Sequence, residues 1–147
     1  MSVKAQSIPS MASQASIMEG IQRDKKSMSR ILVVDDAQIM RNILSSMLEE
    51  AGHQVIGHAA NAEEAMALYA QLKPDLVTLD ILMEGADGVT CLKNIMREDP
   101  QARVLMITAH GHGPIEQEAR DSGARGYIAK PIELEQLQSA VEQALAE

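Results

Sequence analysis

Apolar residues in this chain gather into short runs, separated by segments in which they recur at helical spacing. Ile31-Leu32-Val33-Val34 is a β-branched run that stops at Asp35-Asp36 and predicts a first strand. Ile39, Met40, Ile43, Leu44, Met47 and Leu48 then repeat as on a helix, with Gly52 placed to close it. Val55-Ile56 marks a short second strand, and Asn61 caps a helix carrying Ala65, Met66, Leu68, Tyr69 and Leu72. Pro74 ends that helix, and a third strand over 76–79 runs into Asp80. A loop over 81–88 leads to a helix bearing Val89, Leu92, Ile95 and Met96, then to a fourth strand over 104–107 that ends at Thr108. A helix over about 114–122, closed by Gly123, precedes a fifth strand over 127–129 that ends at Lys130-Pro131. Leu134, Leu137, Val141 and Leu145 stripe the last helix.

Five strands alternating with five helices predict an α/β fold with a parallel sheet covered on both faces. Strands buried on both sides read as continuous apolar runs, as the first, third and fourth do here. Right-handed crossovers make an open, doubly wound sheet the economical arrangement. Residues 1–29 lack this pattern. Rich in Ser, they read as a disordered or weakly helical tail before a domain over 30–147. Met11, Ala15, Met18 and Ile21 leave a short docking helix as the alternative, and Met28 is a second candidate start.

Composition narrows the picture. Among 147 residues there is no Phe or Trp, only two Tyr, and ten Met, so the core is aliphatic. The net charge of −8 is unevenly spread: residues 1–29 hold four cations against two carboxylates, leaving −10 on the rest. An acidic domain without a basic stripe repels nucleic acid and anionic membrane surfaces. The lone Cys91 has no partner for a disulfide or a thiolate metal site and reads as a small buried apolar residue. No apolar run approaches the roughly 18 residues of a membrane span, and no secretory h-region opens the chain, so a cytoplasmic protein is expected.

Candidate chemistry stands at the carboxyl ends of the strands. Asp35 and Asp36 end the first, Asp80 the third, Thr108 the fourth and Lys130 the fifth. Open α/β sheets bind ligands beyond those ends, where strand order reverses. Three carboxylates in one small site repel one another. An all-oxygen donor set calls for a hard divalent cation, Mg²⁺ rather than zinc. Such an ion would offset the charge of a phosphoryl group and polarise it for attack by a carboxylate. Lys130 adds a compact cation and Thr108 a hydroxyl donor. Singly, these are a helix cap, a solvated charge and a turn residue; their coincidence at one edge favours a site.

Val33-Val34-Asp35-Asp36, Asp80 followed by Met83 and Asp87-Gly88, Thr108-Ala109, and Tyr127 with Lys130-Pro131 carry a resemblance. Over residues 30–146 the chain resembles the receiver domains of bacterial response regulators, particularly the stand-alone chemotaxis type. The resemblance implies strand order 2-1-3-4-5 and Asp80 as phosphoacceptor. It implies Mg²⁺ held by Asp35, Asp36, Asp80 and the backbone carbonyl of Leu82. Thr108 would bond the aspartyl phosphate and Lys130 would pair with it. Tyr127 takes the place of a switch aromatic that moves inward, and Lys130–Pro131 of a cis peptide. Glu84 departs from the family, replacing its usual Pro with a charge. Leu82 and His110 occupy positions that tune phosphate hydrolysis, and a bulky Leu82 implies slow autodephosphorylation. His110 and His112 lack a third ligand and read as loop residues beside Gly111, Gly113 and Pro114.

The function this implies is a single-domain response regulator. A histidine kinase would phosphorylate Asp80 with Mg²⁺, and an output protein, possibly one of a chemotaxis pathway, would read the face of the fourth helix, fifth strand and fifth helix. The alternative is a phosphorelay intermediate that passes the group to a histidine phosphotransfer protein. A turnover enzyme is not expected: phosphatases with an Asp nucleophile after the first strand show Asp-x-Asp, and no hydroxyl- and Gly-rich loop follows that strand to hold a flavin. A monomer or weak dimer is expected.

Overall fold

The computed structural model describes residues 28–83, 86–109 and 113–146. The expected tail, apart from Met28 and Ser29, lies outside the described residues, as do Glu84, His110 and His112. Strand β1 spans Arg30–Val34, β2 Gln54–Ala59, β3 Leu76–Leu79, β4 Val104–Thr108 and β5 Gly126–Ala129. Helix α1 spans Gln38–Glu50, α2 Ala62–Leu72, α3 Gly88–Glu98, α4 Pro114–Asp121 and α5 Leu134–Leu145. All five strands are parallel, in the order β2-β1-β3-β4-β5. This is the doubly wound sheet the alternation predicts, with its reversal of order between β1 and β3.

Strand alternation sorts the core into two layers. Ile31 and Val33 pack with Leu44 and Leu48 of α1 and Leu137 and Val141 of α5. Leu32 and Val34 pack on the other face with Ala65 and Tyr69 of α2, Leu92 and Ile95 of α3, and Ala119 of α4. Each such buried Leu, Ile or Val contributes about 1.5–3 kcal/mol relative to exposure. Met40, Leu44, Met47 and Leu48 form the inward stripe of α1. Ile39 and Ile43, read as part of the same periodicity, face solvent at 73% and 45% exposure. They form a second apolar stripe, one helical step round from the first.

The local signals act as their chemistry dictates. The Asn61 side chain accepts the Glu64 amide at 2.8 Å, while the Glu64 carboxylate accepts the Ala60 amide at 2.8 Å, closing the start of α2. Lys73, just before Pro74, ends that helix in the left-handed region at φ 49°. The segment expected as a loop over 81–88 contains a small antiparallel ribbon, Leu82–Met83 against Ala86–Asp87. Two-residue strands carry no periodicity, so the sequence pattern could not register them. Among the described residues, no helix is long and apolar enough to cross a membrane.

Candidate functional site

The sheet delivers the predicted polar residues to one edge by extending its ladder one residue past the strands. The Asp35 amide donates to the Ala59 carbonyl at 3.0 Å, the Asp80 amide to Val34 at 3.1 Å, and the Lys130 amide to Thr108 at 2.8 Å. The backbones carrying these side chains are thus as fixed as the strands. Asp35 and Asp80 follow β1 and β3, the two strands that flank the reversal of order.

The side chains converge there. Carboxylate oxygens of Asp35, Asp36 and Asp80 all lie within 4.8 Å of one another. Asp35 is 1% exposed and Asp80 6%, whereas Asp36 is open to solvent. Lys130 Nζ donates to Asp35 Oδ2 at 2.8 Å and to Asp80 Oδ2 at 3.1 Å. The second oxygen of each buried carboxylate meets a backbone amide: Ala37 donates to Asp35 Oδ1 at 2.9 Å, and Leu82 to Asp80 Oδ1 at 3.2 Å. Burial works against the charge on Lys130, but its bond to Asp35 and the field of Asp80 outweigh it and raise its pKa.

Lys130 is thus shared by the two buried carboxylates, and the exposed Asp36 adds a third acidic group within 4.8 Å. That surplus of negative oxygen, open to solvent on the Asp36 side, suits a hard divalent cation. Asp35, Asp36 and Asp80 are the residues whose side chains fit that role. At Leu82 the described contact runs through its amide to Asp80.

Thr108 is fully buried at the end of β4. Tyr127, one residue into β5, is already buried at 5% exposure among the side chains of the α2–α4 layer. Burial raises its pKa, with Glu116 and Asp80 adding to the effect. The Lys130–Pro131 peptide is cis. Cys91 is buried, and desolvation pushes its thiol up to about 11, the inert character its sequence context indicated.

The sequence does not single out Arg41, and it shows Gly88 only as part of the Asp87-Gly88 motif, without the contact that requires it. Arg41 donates from Nη1 to the Asp35 carbonyl at 2.7 Å, bracing the turn that presents the acidic pair. An arginine in a helix otherwise read by its apolar stripe gave no signal of that contact. Gly88 opens α3 pressed against the Asp80 backbone: an added Cβ would sit 2.1 Å from the Asp80 carbonyl oxygen and 2.5 Å from Ile81 Cα. Its amide donates to the Ile81 carbonyl at 2.7 Å. Asp-Gly ordinarily reads as turn chemistry, which hides a requirement for close backbone approach.

The chain is similar to known proteins over most of its length. The family described as the response regulator receiver domain matches residues 31–142. The chain is 45% identical over 114 residues to "Protein CcdB" of Bacillus subtilis, covering 78% of this chain and 95% of that protein. It is 41% identical over 104 residues to the chemotaxis protein CheY of Thermotoga maritima, covering 71% and 87%. Among solved structures, the CheX–CheY–BeF3–Mg²⁺ complex from Borrelia burgdorferi aligns with a TM-score of 0.78 at 35% identity, over 81% of this chain and 90% of that one.

Proposed function

The chain belongs to the response regulator receiver domains, and we propose that it accepts a phosphoryl group on Asp80 from a histidine kinase and signals by contact with a protein partner. The observation that carries this reading is the shared ammonium: Lys130 bridges Asp35 and Asp80 while Asp36 stands open beside them. Asp80 is nucleophilic, held by two donors in a fixed position, and reached from the solvent side.

In the transfer, an Asp80 carboxylate oxygen forms a bond to phosphorus as the P–N bond of the donor phosphoimidazole breaks. The imidazole nitrogen keeps the bonding electron pair. Asp35 and Asp36, with Asp80, would hold Mg²⁺, which when bound supplies charge neutralisation and polarises the phosphoryl oxygens. Magnesium is named in the structurally similar CheY complex. Lys130 then pairs with the new phosphoryl oxygens, and the Thr108 hydroxyl donates to one of them. Drawing Thr108 toward the phosphate changes the packing around Tyr127 and so the face of α4, β5 and α5. Moving such a switch from about 1% to 99% active takes roughly 5.5 kcal/mol of differential stabilisation. The protein is a stoichiometric acceptor in this scheme, and its kinase donor sets a cytoplasmic location.

A protein donor suits the surroundings of the site. Ile39, on the first turn of α1 after Asp36, and Leu82, two residues after Asp80, are 73% and 57% exposed. Large apolar side chains at a charged crevice are a surface for another protein. The similarity to CheY makes a chemotaxis pathway the leading setting. The test is intact mass after incubation with acetyl phosphate, with and without Mg²⁺, for the wild type and Asp80→Asn. A gain of one phosphoryl group that needs both Mg²⁺ and Asp80 is the expected result. A gain retained by Asp80→Asn would move the acceptor elsewhere and end this reading.

A further inference from the structure

At the opposite end of the sheet from Asp80, the last turns of α2 and α3 enclose an open groove of about 710 Å³. Its apolar lining comes from Met66, Ala67, Ala70 and Pro74, and Glu98 and Asp99 stand on its rim. Asp99 is engaged by the Tyr69 hydroxyl at 2.9 Å, but Glu98 is exposed and has no ion pair among the described residues. The lining is therefore apolar in the middle, with two carboxylates on the α3 side and the single cation Lys73 on the α2 side.

The chain enters the domain beside this groove. The Arg30 guanidinium donates to the carbonyls of Lys73 at 2.9 Å and Leu72 at 2.7 Å, and Lys73 lines the groove. Met28, two residues earlier, is 63% exposed. Residues 1–27 thus join the domain within about 10 Å of Arg30, near the mouth of the groove. Their chemistry complements it. They carry four cations against two carboxylates, with Arg23, Lys25 and Lys26 nearest the domain, whereas the remainder of the chain is at −10. Met11, Ala15, Met18 and Ile21 recur at helical spacing in the same segment. From Met28 back to Ile21 an extended chain spans up to about 24 Å, so the apolar positions can reach the groove.

We propose that the segment over 11–26 docks into the α2–α3 groove of its own chain. Its apolar residues lie on Met66 and Ala70, and its basic residues face Glu98. Tethering raises the local concentration of the segment over that of any free competitor. A second copy of the domain is a poorer occupant, because two acidic surfaces repel. This site is independent of the phosphoryl chemistry and leaves the Asp80 end of the sheet uncovered.

The test uses the full chain. Cys91 is buried, so a nitroxide placed through Ser16→Cys labels one site selectively. Amide signals of Ala67, Ala70 and Glu98 should lose most of their intensity to paramagnetic broadening. A second substitution, Ala70→Arg, should restore those of Ala67 and Glu98 without changing the thermal melt, since Ala70 is exposed on α2. Broadening concentrated at Asn42 and Ser46 would place the segment on the exposed stripe of α1 and overturn the proposal. Uniformly weak broadening would overturn it as well. Mixing spin-labelled, isotope-free chains with unlabelled ¹⁵N chains separates the last alternative: broadening at the groove there would assign it to a neighbouring copy instead.

Discussion

The two ends of the sheet both gather ionisable groups, yet they balance them differently. At the amino end, the Arg30 guanidinium closes the last carbonyls of α2, and its amide donates to Asp75 at 2.8 Å. Asp99 accepts from Tyr69 on one oxygen and from the Gln101 amide on the other. Arg30, Asp75 and Asp99 there are engaged by orphan backbone groups and fixed partners, the pattern of a structural network. At the carboxyl end, one ammonium is shared between two buried carboxylates, and a third carboxylate, solvent-exposed, lies within 4.8 Å of them. That end retains excess negative oxygen and an open side. Burial alone does not mark a functional site; imbalance within a rigid frame does.

Substitution is most damaging at Gly88. Replacing it with Ala pushes a Cβ into the Asp80 backbone, and relief requires moving α3 or the acceptor itself. Gly88→Ala is expected to cost about 3 kcal/mol in urea denaturation and to abolish phosphoryl incorporation. Lys130→Met comes next. Deleting one partner of a fully buried pair costs about 3–5 kcal/mol, and partial exposure of this lysine lowers the expectation to about 2 kcal/mol. Added Mg²⁺ should narrow that loss, because a second cation source then faces the carboxylates; an Mg²⁺-insensitive loss would show that the carboxylates hold no cation in place of the lysine. Arg30→Met, at the other end, should cost about 1 kcal/mol through its lost carbonyl contacts while phosphoryl incorporation continues at the wild-type rate. Loss of incorporation in that variant would mean the two ends are coupled.

Much of this division is legible in the sequence, for physical reasons that also explain the gaps. Runs such as Ile31–Val34 declare themselves because both faces of a parallel strand are buried. The polar residue that ends each run is then placed at the edge by topology alone, which is how Asp35, Asp80, Thr108 and Lys130 came together on paper. Close approach is invisible in a pattern: nothing about Gly88 distinguishes a turn glycine from one pressed against a carbonyl. Nor does periodicity separate the inward stripe of α1 from Ile39 and Ile43, since both are apolar and adjacent on the helix. Arg30 looked like the first residue of a strand, and its reach to the end of α2 depends on the pairing of β1 with β3. Contacts between residues distant in sequence need the fold before they can be read.

At the amino end a buried histidine makes a weaker, pH-dependent contribution to stability. His53, in the turn before β2, is buried, and its Nδ1 has no hydrogen-bond partner among the described residues. Burial lowers its pKa below the ordinary 6.5, against a weaker opposing pull from Glu142 of α5. The unfolded chain therefore takes up a proton at His53 more readily than the folded one. Stability contributed by this residue is complete above pH 6.5 and is lost as pH falls through 6.5 toward the depressed folded value. His58, bonded to Ser45 at 2.7 Å, shifts in the same direction. Denaturation curves at pH 7.5 and pH 5.5 should show a modest loss at the lower pH, and His53→Leu should flatten part of it. The lysine and carboxylates of the opposite end do not depend on that proton. Acetyl-phosphate labelling of the folded His53→Leu protein at neutral pH should accordingly match the wild type, and a fall would show that the balanced end also shapes the charged one.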